Sequence, residues 1–283
     1  MHFIKTYCDV NDHYKANKSQ YQRARRLSGG RRDRESRLTT SEIGTIILCY
    51  QWSGFRTFKK YYGHLLEHYR HYFPNLVSYS RFVEIQAKAL ALLSGFLGSK
   101  TGKCTGISFI DSTPLAVCNI KRSASVRVFK GIAAKGKSSK GWFYGFKLHL
   151  VVNHHGQPLA AKITPGNVHD LVPVEGLTKR LFGKLFGDKG YLSKNLFESL
   201  FQRGIQLFSG IRKTMKNKLI DPINALLMKK RSLIESVYNS LKHTFHVEHS
   251  RYRNVTSFFI NILAALSAYS VNLNRQAQSL QLI

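Results

Sequence analysis

Apolar residues between positions 39 and 97 recur at the three- and four-residue steps of amphipathic helices. Thr39-Thr40-Ser41-Glu42 leads into the run IGTIILCYQW, and Thr39 with Glu42 three positions on has capping-box spacing, which predicts a helix start. The segments around 55–72 and 80–97 mix apolar and basic positions with helical spacing, separated by Pro74. Residues 1–100 therefore read as one helical, basic region, compatible with a helix-turn-helix-like unit. From about residue 103 the period shortens. GISFIDS (106–112), WFYGFKLHLVV (142–152), PLAAKIT (158–164) and KLFGDKGY (184–191) read as strands or strand ends, with a hairpin loop at 153–157. Helical stretches near 170–182 and 193–203 alternate with KLFGDKGY and GIQLFSG, which predicts a mixed α/β sheet. The segment from Ile223 to Val247 reads as one helix. The apolar stretch Phe258–Leu273 contains Asn261, Ser267, Ser270 and Asn272 and falls short of a typical membrane span, so it is expected to be a buried C-terminal core helix.

Charge changes the picture next. The 283 residues include 44 Lys plus Arg against 15 Asp plus Glu, a net charge of +29. With 43% hydrophobic and 12% aromatic residues, the chain is no disordered basic tail. Such an excess repels itself unless a polyanion neutralises it, and nucleic acid is the natural partner. The basic run at 15–37, broken by Ser28-Gly29-Gly30, reads as a solvated linker or a DNA-contacting arm. Cys8, Cys49, Cys104 and Cys118 form neither a zinc spacing nor a disulfide framework, which suits a reduced, cytosolic compartment. The N-terminus lacks the apolar run of a signal peptide.

Scarce acids in a basic chain call for specific partners. None occurs between Asp111 and Asp170, where nine Lys or Arg stand. Asp111 closes the apolar run ISFI, and Asp188 closes Leu185-Phe186-Gly187. Carboxylates at strand ends point into sites at a sheet edge, although Asp also starts turns and caps helices. On the helix read over 223–247, Arg231, Glu235 and Lys242 fall within about 40° of one another beside the apolar face, at about 100° per residue. Glu235 is expected there to face the protein rather than water.

Three stretches, FIDSTPL (109–115), GDKGYLS (187–193) and RSLIESVYNSLK (231–242), together resemble the DDE transposases of bacterial insertion sequences, particularly the insertion-sequence 982 type. GFKLHLVVNHHGQP (145–158) and TPGNVHD (164–170) support the likeness. The related arrangement Tyr-x2-Arg-x3-Glu-x6-Lys is met by Arg231, Glu235 and Lys242, with Met228 at the tyrosine position. The likeness covers roughly 103–275 well and the N-terminal helices loosely.

The resemblance implies an RNase H-like catalytic domain over 103–275 behind a helical DNA-binding region over 1–100. It implies Asp111 on the first strand, Asp188 after the fourth and Glu235 on a later helix, holding two Mg²⁺ ions with Mn²⁺ able to substitute. The expected activity is binding of the insertion sequence's ends, with metal-dependent strand cleavage and strand transfer. Expected partners are double-stranded DNA, both terminal inverted repeats and target, and a second copy in a homodimer. The expected setting is cytoplasmic, on the bacterial nucleoid, with no membrane. Lys242 resembles the family lysine that contacts phosphate near the cleaved end, and Arg231 orients Glu235 or does likewise. Lys189 is expected to reach a phosphate. The acid-free segment 121–140, with Lys121, Arg122, Lys130, Lys135, Lys137 and Lys140, is expected to be a mobile insertion between strands one and two that tracks DNA phosphates. Lys147 and His149 alternate on a strand and share one face. Asp170 reads as a helix cap rather than a fourth metal ligand. Two other readings stay open: a nuclease without strand transfer, and a non-catalytic DNA-binding relative.

Overall fold

The fold is that of a computed structural model of the chain, which describes residues 3–27, 37–139, 141–210, 221–248 and 252–280, with side chains outside 24–27 and 275–280. Lys140 and the basic run at 28–36 lie outside the described residues. In chain order come α1 (Phe3–Ala16), α2 (Lys18–Leu27), α3 (Thr40–Tyr50), α4 (Phe58–His68), α5 (Tyr79–Ile85) and α6 (Leu90–Lys100). There follow β1 (Ile107–Cys118), β2 (Ala134–Ser138), β3 (Gly141–Asn153), β4 (Pro158–Pro165), α7 (Val174–Leu177), β5 (Gly183–Gly187), α8 (Lys194–Gln202) and β6 (Ile205–Ser209). The chain ends with α9 (Pro222–Lys230), α10 (Ser232–His243) and α11 (Val255–Leu280). Two compact units result: Met1–Lys100 with Leu241–Val247 and Tyr252–Ile283, and Thr101–Ser240 with Glu248–Arg251.

The first unit is helical. Thr39 and Glu42 form the expected capping box, with Thr39 N donating to Glu42 Oε2 at 2.7 Å and Glu42 N to Thr39 Oγ1 at 3.2 Å. From Ile43 to Tyr50, α3 is buried on every side. Its core joins Val10, Ile43, Ile46, Tyr61, Tyr62, Phe82 and Phe96 to Ile260, Ala264 and Val271 of α11. Asn261 is satisfied inside it, accepting from Gln51 Nε2 at 3.0 Å and donating to the His246 carbonyl at 3.2 Å. By length and composition, Tyr79–Lys100 and Val255–Asn274 would each reach across a membrane, but two thirds of the latter is buried in protein. α11 is thus the core helix expected.

In the second unit β1 is central. It runs antiparallel to β3, from Ser108↔Asn153 to Cys118↔Tyr144, and parallel to β5, from Ile107↔Lys184 to Phe109↔Phe186. β5 pairs parallel with β6. The far edge of β3 is shared, β2 pairing with residues 141–145 and β4 with the following stretch. The order is therefore β4-β3-β1-β5-β6, with β2 beside β4 and β3 alone running against the rest. The result is the mixed α/β sheet expected. Ile110 and Val151 on one face pack under Val174 and Leu177 of α7 and Leu196 and Leu200 of α8.

Several expectations change. The segment 121–140 is not simply a loop between strands one and two: it contributes the buried Phe129 and the strand β2, which tie it to the sheet while most of its described residues stay exposed. A Cβ at Gly136 would run into the Gly166 carbonyl and the Phe143 ring, so only glycine lets β2 lie this close. The helix near 170–182 shrinks to the single turn α7, and β5 ends at Gly187. The helix expected over 223–247 is two, broken at Arg231.

Candidate active site

Strand register brings the first two acids together. Phe109 pairs with Phe186 at the end of the parallel β1–β5 ladder, Asp111 follows two residues on in β1 and Asp188 just past β5, near enough for its charge to act on Asp111. Asp111 lies in mid-strand, since β1 continues to Cys118; its side chain is 21% exposed. Its Oδ1 accepts from Ser112 N at 2.8 Å. Burial pushes its carboxyl up to about 6; the Ser112 bond and Arg231 oppose this, and the charges of Asp188 and Glu235 add to it. Asp188 is exposed and caps the tight turn 189–191 through Lys189 N at 2.6 Å.

The third acid arrives on α10, which is seated by Ile234, Val237 and Tyr238, all buried. The Arg231 guanidinium spans two of the acids, 2.8 Å from Glu235 Oε1 and 3.5 Å from Asp111 Oδ2. Glu235 does not face the protein as expected: it stays 57% exposed, held at the edge of its helix by Arg231. Arg231 itself is the residue at the break between α9 and α10.

Asp170 is a correction. No side chain caps α7, whose N-cap is Pro173. Asp170 Oδ1 instead accepts from Lys147 Nζ at 3.0 Å and from Ser112 Oγ at 2.9 Å. Lys147 and His149 therefore share the face covered by α7 and α8. His149 is fully buried, Nε2 2.8 Å from Thr164 Oγ1, and burial lowers it to about 4, so it is neutral. Tyr191 lies close by, its phenol kept protonated by burial and by the charges of Asp111, Asp170 and Asp188. Ser112, Tyr191 and Tyr238 carry no signature in the sequence. The acid-free interval before Asp170 and the stretch TPGNVHD that it ends are the signals pointing toward this cluster.

Among the cationic candidates, Lys189 is exposed, and its stem lies along Gly210 at the end of β6. Lys242 follows Glu235 on α10. Lys121, Arg122, Lys130, Lys135 and Lys137 are all exposed. Among the described residues, no group of three or more His, Cys, Asp or Glu is gathered tightly enough to hold a metal ion. The chemistry of the donors nonetheless fits a hard divalent cation: Asp111, Asp188 and Glu235 offer carboxylate oxygens, and Arg231 neutralises two of them.

A transposase DDE domain model matches residues 101–255, more than half the chain. The chain belongs to that family and is a DNA transposase. The family generally uses divalent metals, and its members bind DNA. No curated protein matches the chain. A solved piggyBac transposase synaptic complex with hairpin DNA is similar at 10% identity over 96% of this chain and 74% of that chain, with a TM-score of 0.49.

Proposed function

We propose that Asp111, Asp188 and Glu235 form the catalytic centre of this transposase, cutting at the ends of its insertion sequence and joining the released 3′-OH to target DNA. The observation that supports this reading is Arg231, whose guanidinium reaches both Glu235 at 2.8 Å and Asp111 at 3.5 Å, with the charge of Asp188 also acting on Asp111. On this reading the three carboxylates hold Mg²⁺, or Mn²⁺ in its place. Divalent ions held by these carboxylates would supply charge stabilisation at the phosphate and a lowered pKa for the attacking water.

The chain's own residues do the rest. Arg231 balances Asp111 and Glu235 before cations arrive and orients Glu235. The Lys147–Asp170–Ser112 chain fixes the residue after Asp111, and so the direction of its carboxylate. Lys189 and Lys242 anchor phosphates near the cut. Lys121, Arg122, Lys130, Lys135, Lys137 and Lys140 hold the flanking backbone, as point charges do on DNA. The helical region 1–100 binds the element's ends, the domain over 103–275 does the chemistry, and two copies synapse two ends. The insertion-sequence 982 type is the subgroup we assign, acting on the nucleoid of a bacterial cytoplasm.

The deciding experiment incubates the protein with a terminal-repeat duplex and Mg²⁺ or Mn²⁺, then repeats the joining step with a precut end. Cleavage and joining are expected, and both are lost in Asp111→Asn while DNA binding remains. Cleavage without joining would assign a simple nuclease instead. Full activity in Asp111→Asn would remove the acid from the centre.

A further inference from the structure

The β2–β3 hairpin carries a feature that the carboxylate site leaves unused. Along β2 the exposed Lys135 and Lys137 alternate with the buried Gly136, so both lysines project from one face. Antiparallel register sets Lys137 opposite Trp142 and Lys135 opposite Tyr144. Residues directly opposite share a face, with Cβ atoms about 5 Å apart. Tyr144 is buried, its hydroxyl donating to the Phe129 carbonyl at 3.4 Å. Trp142 is 63% exposed at the start of β3. Neighbouring aromatics Phe143 and Phe146 are taken into the interior, so this chain had the means to bury a ring here and left its largest one in water.

Charge selects the partner. No acid occurs between Asp111 and Asp170, so the cations around Trp142 meet no sequence-local carboxylate. A flat, exposed ring opposite Lys137 and one step from Lys135 suits a polyanion that also has flat faces. Nucleic acid has both, and base–aromatic stacking beside phosphate contacts is how unpaired bases are held. Position adds a constraint. Leu150, the partner of Asp111, lies further along the same strand as Trp142. That length of strand spans at most about 26 Å, or about eight nucleotide steps.

We propose that Trp142 stacks on an unpaired DNA base within about eight nucleotides of the phosphate at Asp111, with Lys135 and Lys137 on the adjoining phosphates. This rests on the DNA-binding reading above.

The chain has two tryptophans, so Trp52→Phe leaves Trp142 as the sole indole emitter. That variant is titrated with a labelled duplex carrying a central unpaired stretch and with the fully paired duplex, following label anisotropy and indole emission together. Expected are quenching with the unpaired stretch, about 10-fold or greater loss of its binding in Trp142→Ala, and substantial rescue in Trp142→Phe. Binding to the paired duplex stays nearly unchanged in both variants. Anisotropy showing binding without quenching, or equal affinity in Trp142→Ala, overturns the stacking role and leaves DNA binding standing. No binding of either duplex at low salt removes both readings. Quenching or a blue shift with phosphatidylglycerol vesicles but not with DNA would assign the patch to a lipid surface and overturn the proposal.

Discussion

The hydroxyl of Tyr238, on α10, donates to the backbone carbonyl of Asp111, in β1, at 2.7 Å. The Leu148 carbonyl is 3.1 Å from the same hydroxyl, so one proton serves two strands. Glu235 lies one turn earlier on that helix, and the bond therefore fixes its height and rotation relative to Asp111. Burial holds the phenol far above its ordinary pKa, so it remains a donor.

Tyr238→Phe keeps the ring packing and deletes this bond. We expect a stability loss of about 1–2 kcal/mol, the range for a buried hydrogen bond whose acceptors lose their donor. Single-turnover cleavage should slow while DNA affinity is unchanged. Urea unfolding and a cleavage time course with a gel-shift control check this.

Arg231→Gln leaves two acids without their shared counter-charge. Given partial exposure, we expect a cost of about 1–2 kcal/mol at neutral pH. In an Asp111→Asn background that cost should fall but not vanish, because the closer partner, Glu235, remains. Arg231→Lys should rescue little, since an ammonium lacks the fork that spans two carboxylates. A double-mutant cycle in chelator measures the coupling.

Asp111 and His149 oppose each other in their effect on pH-dependent stability. Asp111 keeps its proton up to about 6 when folded, against 3.8 as a free side chain, so it lowers stability as pH rises through that window. His149 stays neutral down to about 4 when folded, against 6.5, so it lowers stability as pH falls through nearly the same window. Each effect is at most about 3 kcal/mol, at about 1.4 kcal/mol per pH unit. Relative to the native chain without metal, Asp111→Asn should gain stability toward pH 7, and His149→Gln should lose its added sensitivity between pH 6.5 and 4. Urea midpoints across that range decide it; parallel pH profiles for all three proteins would contradict the burial argument.

Lys135→Ala with Lys137→Ala should weaken DNA binding for every sequence. It should also flatten the salt dependence, by about 0.9 in the log–log slope for each phosphate left without its lysine. Anisotropy titrations at several salt concentrations give the slope directly. An unchanged slope would take these lysines off the DNA backbone.

The helix cap at Thr39, the hairpin at 153–157, and the acids at 111 and 188 are legible because each is written within a few residues. β2 is not. Its sequence, AKGKS, has no apolar alternation and poor strand formers, and it becomes a strand only because β3 offers an edge and Gly166 leaves room. The apolar pattern of β1 stops short of Pro114 for a similar reason; past Phe109 the strand has left β5 behind, and a strand free on one side tolerates proline. Asp170 reads as a cap because its partner Lys147 is distant in sequence and meets it only after the β3–β4 hairpin folds back. Glu235 is legible as a site acid but not in its exposure, because helical periodicity gives a direction and not a depth.

The helical unit draws its core both from the first hundred residues and from α11 at the far end of the chain, with the sheet unit encoded between them. During synthesis the sheet's strands have all emerged well before α11 is made. The first helices must wait as an unfinished hydrophobic surface, and on a protein so basic that wait takes place among ribosomal RNA and messenger. The core of the helical unit is thereby complete only once translation has run through α11.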